Sequence, residues 1–172
     1  MKNIYLIGFI GSGSRKHAKR IAEKWNLKHI DTDTFLEEKE GMKVQEIFRE
    51  KGEAYFRKIE EELLQEIAMQ ENLIVSFGIG TPCVGNNMEL MRQSGLIVYL
   101  RAGVGCVMKA VMALRKKGEM FTEMEVAEIS DFLMEKLDER RPCYETAAQI
   151  TLRARGLDTK VLEKEIQDKL KD

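Results

Sequence analysis

Residues 8–15 read Gly-Phe-Ile-Gly-Ser-Gly-Ser-Arg, a glycine-rich stretch that follows a short apolar run and opens a helical pattern. Glycines at such a turn let successive backbone N–H groups face inward around an anion, and the helix that follows presents its positive end to the same point. Gly8, Gly11, Ser12, Gly13, Ser14 and Arg15 are therefore candidate nucleotide-binding residues. The full phosphate-loop pattern, G-x-x-x-x-G-K-[ST], adds a lysine for the β and γ phosphates and a hydroxyl that holds Mg²⁺. Gly8 and Gly13 have that spacing, but Ser14 stands in the lysine position and Arg15 in the hydroxyl position. Arg15 puts a cation where a metal ligand is required, so it either repels the metal or stands in for its charge. Neither Arg15 nor Lys16 replaces the lysine by a simple shift, because each step along a helix turns the side chain by about 100°. The ligand-free alternative is a tight strand-to-helix turn.

Three more clusters carry charged chemistry: Asp-Thr-Asp at 31–33, Glu-Lys-Gly-Glu-Ala-Tyr-Phe-Arg at 50–57 and Glu-Arg-Arg-Pro-Cys-Tyr-Glu at 139–145. Arg57 and Arg140 are suited to a carboxylate, which a planar guanidinium grips through two parallel hydrogen bonds and a lysine does not. Each cluster also has an ordinary reading. An Asp after a strand caps the next helix, Arg57 pairs with Glu53 or Glu61, and Arg140 is a solvated residue at a charge-rich helix end. His17 and His29 have no cysteine or carboxylate cluster arranged for a metal and read as helix and strand residues. Trp25 reads as a packing residue against the sheet.

The elements that must position these residues alternate. Residues 3–8, 28–31, 72–77, 96–100 and 149–152 are short apolar or β-branched runs, mostly continuous, as strands covered on both faces are. Residues 57–69 and 158–171 place apolar residues on one helical stripe. This β-α-β rhythm predicts an α/β fold, a parallel sheet flanked by helices. Residues 32–70 read as a helical excursion broken at Glu40-Gly41, and residues 115–122 as a mobile connection around Gly118.

The chain has 172 residues, the size of one domain, and a formal net charge of -1, which argues against a nucleic-acid surface and points to small-molecule partners. No apolar run approaches the roughly 18 residues of a membrane span. The three cysteines, Cys83, Cys106 and Cys143, are few and odd in number, so buried thiols in a reducing cytoplasm are expected rather than a disulfide framework. The ten methionines read as flexible core filling.

Taken together, the loop at 8–15, D-T-D, A-Y-F-R and R-R-P-C-Y resemble the shikimate kinase family over nearly the whole chain. The resemblance implies a three-layer α-β-α P-loop kinase fold with a five-stranded parallel sheet. It implies one domain over 1–172, with a substrate-binding helical region at about 32–70 and a lid at about 112–124. The implied reaction is phosphorylation of the shikimate 3-hydroxyl with ATP and Mg²⁺. Asp33 then matches the residue that binds the shikimate hydroxyls and orients or deprotonates the nucleophile, and Asp31 the residue near the metal. Arg57 and Arg140 match arginines on the substrate carboxylate, with Gly78 and Gly80 beside the substrate.

Departures from the family pattern gather on the phosphate side. Besides Ser14 and Arg15, F-G-I-G-T at 77–81 replaces T-G-G-G-A, and no R-P-L-L lid motif occurs between 110 and 125. Arg115, Lys116 or Lys117 are the available substitutes for the lid charge. Phosphoryl transfer rests on positioning and charge neutralisation, with one arginine finger worth about 10³–10⁵ in rate. Weak or absent kinase activity is therefore expected of a cytoplasmic monomer, the alternative being a non-catalytic sensor or binding protein for shikimate or a similar cyclic hydroxy acid.

Overall fold

The computed structural model describes residues 1–118 and 121–171, so Glu119 and Met120, within the expected lid at 112–124, lie outside the described residues. Five strands form one sheet: β1 (Asn3–Ile7), β2 (Lys28–Asp31), β3 (Leu73–Ser76), β4 (Gly95–Arg101) and β5 (Ile150–Arg153). They are all parallel, in the order β2-β3-β1-β4-β5. Strand β1 lies at the centre, Tyr5 pairing with Val75 on one side and Ile97 on the other. Every residue of β1 is buried, which is why its sequence after Asn3 is a continuous apolar run and does not alternate.

The helices are α1 (Ser14–Trp25), α2 (Thr32–Glu40), α3 (Val44–Lys51), α4 (Glu53–Ala68), α5 (Asn87–Ser94), α6 (Val104–Lys116), α7 (Val126–Ala147) and α8 (Thr159–Lys169). Successive strand residues face opposite sides, so each strand feeds two cores. Tyr5, Ile7, Val75 and Tyr99 pack with Ile59, Leu63 and Ile67 of α4 and Leu133, Leu137 and Tyr144 of α7. Ile4, Leu6, Ile74 and Val98 pack with Ala18 and Ile21 of α1 and Leu162 and Ile166 of α8, with Trp25 at the edge of this cluster. Helices thus cover both faces in three layers.

The break expected at Glu40-Gly41 is where α2 ends, Gly41 taking a left-handed φ of 68°. Helix α4 starts earlier than the apolar stripe at 57–69 indicates, at Glu53 directly after the turn at Gly52, and Phe56 of its first turn is already in the core. Arg140, expected at a helix end, lies inside α7, which continues through Pro142 to Ala147. Packing of Tyr144 and Ala147 into the core holds that last stretch helical although Pro142 offers no N–H. Among the described residues no helix is long and apolar enough to cross a membrane.

The expectation of three buried thiols is corrected. Cys83 is exposed in a 3-10 turn at Thr81–Cys83 and is disulfide-bonded to Cys143 of α7, while Cys106 is free and half-buried. Cysteine count carries no information about the 5.8 Å Cα separation, which arises because the turn after β3 packs on α7. Reduction, or Cys83→Ser, is expected to lower stability by about 2–4 kcal/mol. A thermal melt with and without dithiothreitol reads this as a drop in melting temperature.

Candidate active site

Parallel pairing in the order β2-β3-β1 brings the carboxyl ends of three strands side by side, and the loop after β1, Asp31 of β2 and the turn after β3 meet there. The register sets Asp31 beside Ser76, itself beside Leu6. Ligands of open parallel sheets bind at this edge.

The glycine loop is tightly built. A side chain at Gly8 would meet Ser12 Cβ at 2.6 Å and the Leu100 carbonyl at 2.8 Å. Gly13, at φ 77°, starts α1 with no side-chain cap and no acidic residue in the first turn, so the N–H groups of that turn face the loop without a built-in anion. Ser12 is buried, and its Oγ accepts from the Ser14 N–H at 3.4 Å.

Arg15 does not extend into the loop. It donates from Nε to Asp31 Oδ2 at 2.7 Å and from Nη2 to Oδ1 at 2.5 Å, a bidentate pair. Asp31 also accepts from the Ser76 hydroxyl at 2.7 Å and the Thr34 N–H at 3.0 Å, the latter capping α2. His29 Nε2 lies 3.0 Å from Ser76 Oγ and completes the row. Burial alone would raise the Asp31 pKa, but the Arg15, Ser76 and Thr34 bonds hold it below the usual carboxylate range. These residues do not fit Mg²⁺: both oxygens of Asp31 are engaged by donors, and a guanidinium takes the place of the metal-binding hydroxyl.

On the other side of the edge the turn after β3 meets Asp33 and Arg57. Asp33, on α2, packs against Gly78, where a Cβ would collide with its carboxylate. Burial, with further pushes from Asp31 and Glu60, raises Asp33 to about 6. A folded pKa above the unfolded value of about 3.9 means that stability falls as pH rises between about 4 and 6 and is level above. Asp33→Asn is expected to abolish this, so wild-type melting temperature declines relative to the variant across that interval.

Arg57 lies against Gly80, where a Cβ would meet its Nη1 at 2.6 Å. Its guanidinium is satisfied twice, by Glu60 at 2.5 Å and Glu53 at 3.2 Å. Glu60 is buried and accepts from the Thr81 hydroxyl. Helical spacing in the sequence points to Glu53 or Glu61 as partners. Glu53 does pair with Arg57, but Glu60 and not Glu61 is the second, because Glu60 is on the buried face of α4. Its i,i+3 spacing from Arg57 was the available signal, and Thr81 had none.

Arg140 approaches the same turn from α7. Its guanidinium lies 6.0 Å from the Phe9 ring, beside the Tyr144 phenol, whose hydroxyl donates to the Ile79 carbonyl. Among the described residues it has no carboxylate partner within ion-pair distance. Gly78 and Gly80 thus lie against Asp33 and Arg57, the Ile79 carbonyl between them is held by Tyr144 of the helix that carries Arg140, and Phe9 of the glycine loop lies near Arg140. Phe77 points away from the pocket into the core, its ring 5.5 Å from that of Tyr5. Arg115 and Lys116 end α6.

A parallel sheet of this order, with a glycine loop joining the central strand to α1, defines a P-loop kinase fold. The family model for shikimate kinase matches residues 10–171. The shikimate kinase of Azobacteroides pseudotrichonymphae is 38% identical over 149 residues, 86% of this chain and 88% of that protein. The crystal structure of shikimate kinase from Bacteroides thetaiotaomicron is similar with a TM-score of 0.86 and 32% identity, covering 99% of both chains. Shikimate kinase from Acinetobacter baumannii in complex with shikimate gives a TM-score of 0.84 at 30% identity, over 99% of this chain and 96% of that one. The chain belongs to the shikimate kinase family.

Proposed function

We propose that this chain binds shikimate or a similar cyclic hydroxy acid between Asp33, Arg57 and Arg140, and that its transfer of a phosphoryl group from ATP is very slow or lost. Residues 1–172 act as one domain in this reading, with 32–70 as the acid-binding region and 112–124 as the lid. Arg140 takes the ligand carboxylate and Arg57 assists it, while Gly78 and Gly80 let the ligand approach the turn. Asp33, its pKa near 6, is a carboxylate at neutral pH with enough basicity to hold or accept a hydroxyl proton.

The observation that carries the reading is the bidentate Arg15–Asp31 pair. Its two charges cancel, so it supplies none of the net positive charge that a lysine and a divalent ion bring to a triphosphate. Ser14 adds none either. The loop still offers its backbone N–H groups, which suits a weakly held anion better than steady phosphoryl chemistry.

Thermal shift separates this reading from an ordinary kinase. Shikimate at about 100 times its Kd is expected to stabilise by about 2.7 kcal/mol, several degrees for a chain of this size, and ATP with Mg²⁺ by much less. Equal stabilisation by the two ligands would count against the proposal, as would brisk ADP release that depends on shikimate and magnesium.

A further inference from the structure

The Cys83–Cys143 disulfide joins two separate segments, the turn after β3 and α7. The turn is held to α4 by the Thr81 hydroxyl on Glu60, and to α5 by the Asn87 amide, which donates to the Thr81 carbonyl at 2.8 Å. Gly78 of this turn lies against Asp33, and Gly80 against Arg57. Arg140 belongs to the other segment, three residues before Cys143 in α7. Among the described residues two bonds cross from the turn to α7: the disulfide, and the Tyr144 hydroxyl on the Ile79 carbonyl. The covalent one can be opened chemically. Cys83 is exposed, so an external thiolate can reach its sulfur. Pro142, directly before Cys143, offers no N–H to the preceding turn of α7, so the helix lacks one bracing hydrogen bond between Arg140 and Tyr144.

We infer that the Cys83–Cys143 pair is a redox switch on acid binding: the disulfide holds the turn beside Asp33 and Arg57 in place against the helix that carries Arg140, and reduction to two thiols lowers affinity. The inference rests on the acid-binding reading above and adds its regulation. The reductant is a dithiol. Its first thiolate attacks Cys83 Sγ, the S–S bond breaks, and Cys143 leaves as a thiolate that takes up a proton. The second thiol then displaces Cys83 from the mixed disulfide, so the pair gains two electrons and two protons while the dithiol becomes a cyclic disulfide. With the link open, a ligand that touches both segments must itself fix their relative position, and that ordering cost weakens binding. The effect is reciprocal, because a ligand that prefers the oxidised form holds the bond against reduction by the same factor.

Calorimetric titration of shikimate into the full chain, oxidised and after dithiothreitol, tests it. Sucrose in the buffer and a temperature at which melting curves show both forms folded keep the comparison between native states. Reduction is expected to weaken binding by about tenfold, the scale of ordering one or two side chains. Cys83→Ser should bind as the reduced chain does, with no further effect of dithiothreitol. Joining the two reduced thiols through one methylene group, S–CH2–S, should restore most of the affinity while dithiothreitol is present. Saturating shikimate should also shift the reduced-to-oxidised dithiothreitol ratio that half-opens the bond by the same factor, read by alkylating the freed thiols. Equal or tighter binding by the reduced chain overturns the inference and leaves the acid site standing, and so does a half-opening ratio that shikimate does not move although it binds the oxidised chain. Absence of shikimate binding in both redox forms removes the acid-binding reading and the inference with it.

Discussion

Ser14→Lys combined with Arg15→Ser is expected to raise the rate of phosphoryl transfer from ATP to shikimate by about 10³-fold. The two changes act on one defect from opposite sides. Lysine at position 14 adds a cation at the first turn of α1, where the loop N–H groups already converge. Serine at position 15 removes the guanidinium that occupies both oxygens of Asp31 and restores a hydroxyl for a metal. Either change alone is expected to do far less, because lysine without a metal leaves the phosphates underneutralised and a freed Asp31 without lysine adds negative charge to the site. A coupled assay for ADP, with shikimate present and absent, measures the gain. No gain from the pair would move the main defect to the lid or to the 77–81 turn, whereas fast transfer by the unaltered chain would remove the premise.

The second large effect separates the two arginines. Arg140→Met is expected to weaken binding of the carboxylate ligand by about 30-fold or more, since removing one member of a charged pair costs about 2–5 kcal/mol. It should change stability little, because among the described residues Arg140 neutralises no carboxylate. Arg57→Met should do the reverse in emphasis. Glu60 is buried under Thr81, and without Arg57 it keeps its charge with only one hydroxyl to satisfy it. A stability loss of about 3 kcal/mol follows. Calorimetry with shikimate, beside denaturant melts of both variants, reads the two effects apart. Equal losses of affinity and stability in the two variants would mean that Arg57 and Arg140 form one structural unit and that neither is reserved for a ligand.

The disulfide bears on both arginines. Cys83 follows the turn that supports Arg57, and Cys143 lies one turn of α7 beyond Arg140. The bond and the Tyr144 hydroxyl on the Ile79 carbonyl tie the turn after β3 to α7. The cysteine reading failed here for a simple reason: exposure and proximity in space are properties of packing, and neither is encoded in the number or spacing of the cysteines.

Other parts were legible because they are local. Strand β1 lies at Asn3–Ile7, within the apolar run at 3–8, and α2 stops where Gly41 can take a positive φ. A strand covered by helices on both sides needs a continuous apolar run whatever its neighbours are. The glycine loop and D-T-D are placed at one sheet edge by their order alone, since each follows the carboxyl end of a strand in a parallel sheet, whereas Arg57 and Arg140 lie inside α4 and α7 and reach the turn after β3 only by packing.

The amino-acid sequence by itself therefore determined the alternation of strands and helices, the glycine turn without its lysine, and the charged groups available to a ligand. These follow from backbone sterics and residue chemistry over a few neighbouring positions. Only the tertiary structure decided which charges are already spent: Arg15 on Asp31, Arg57 on Glu60 and Glu53, and Arg140 on no carboxylate of the described residues. Ion pairing depends on separations of a few ångströms between side chains on different elements or different faces of one helix, and those distances are set by how strands register and helices pack.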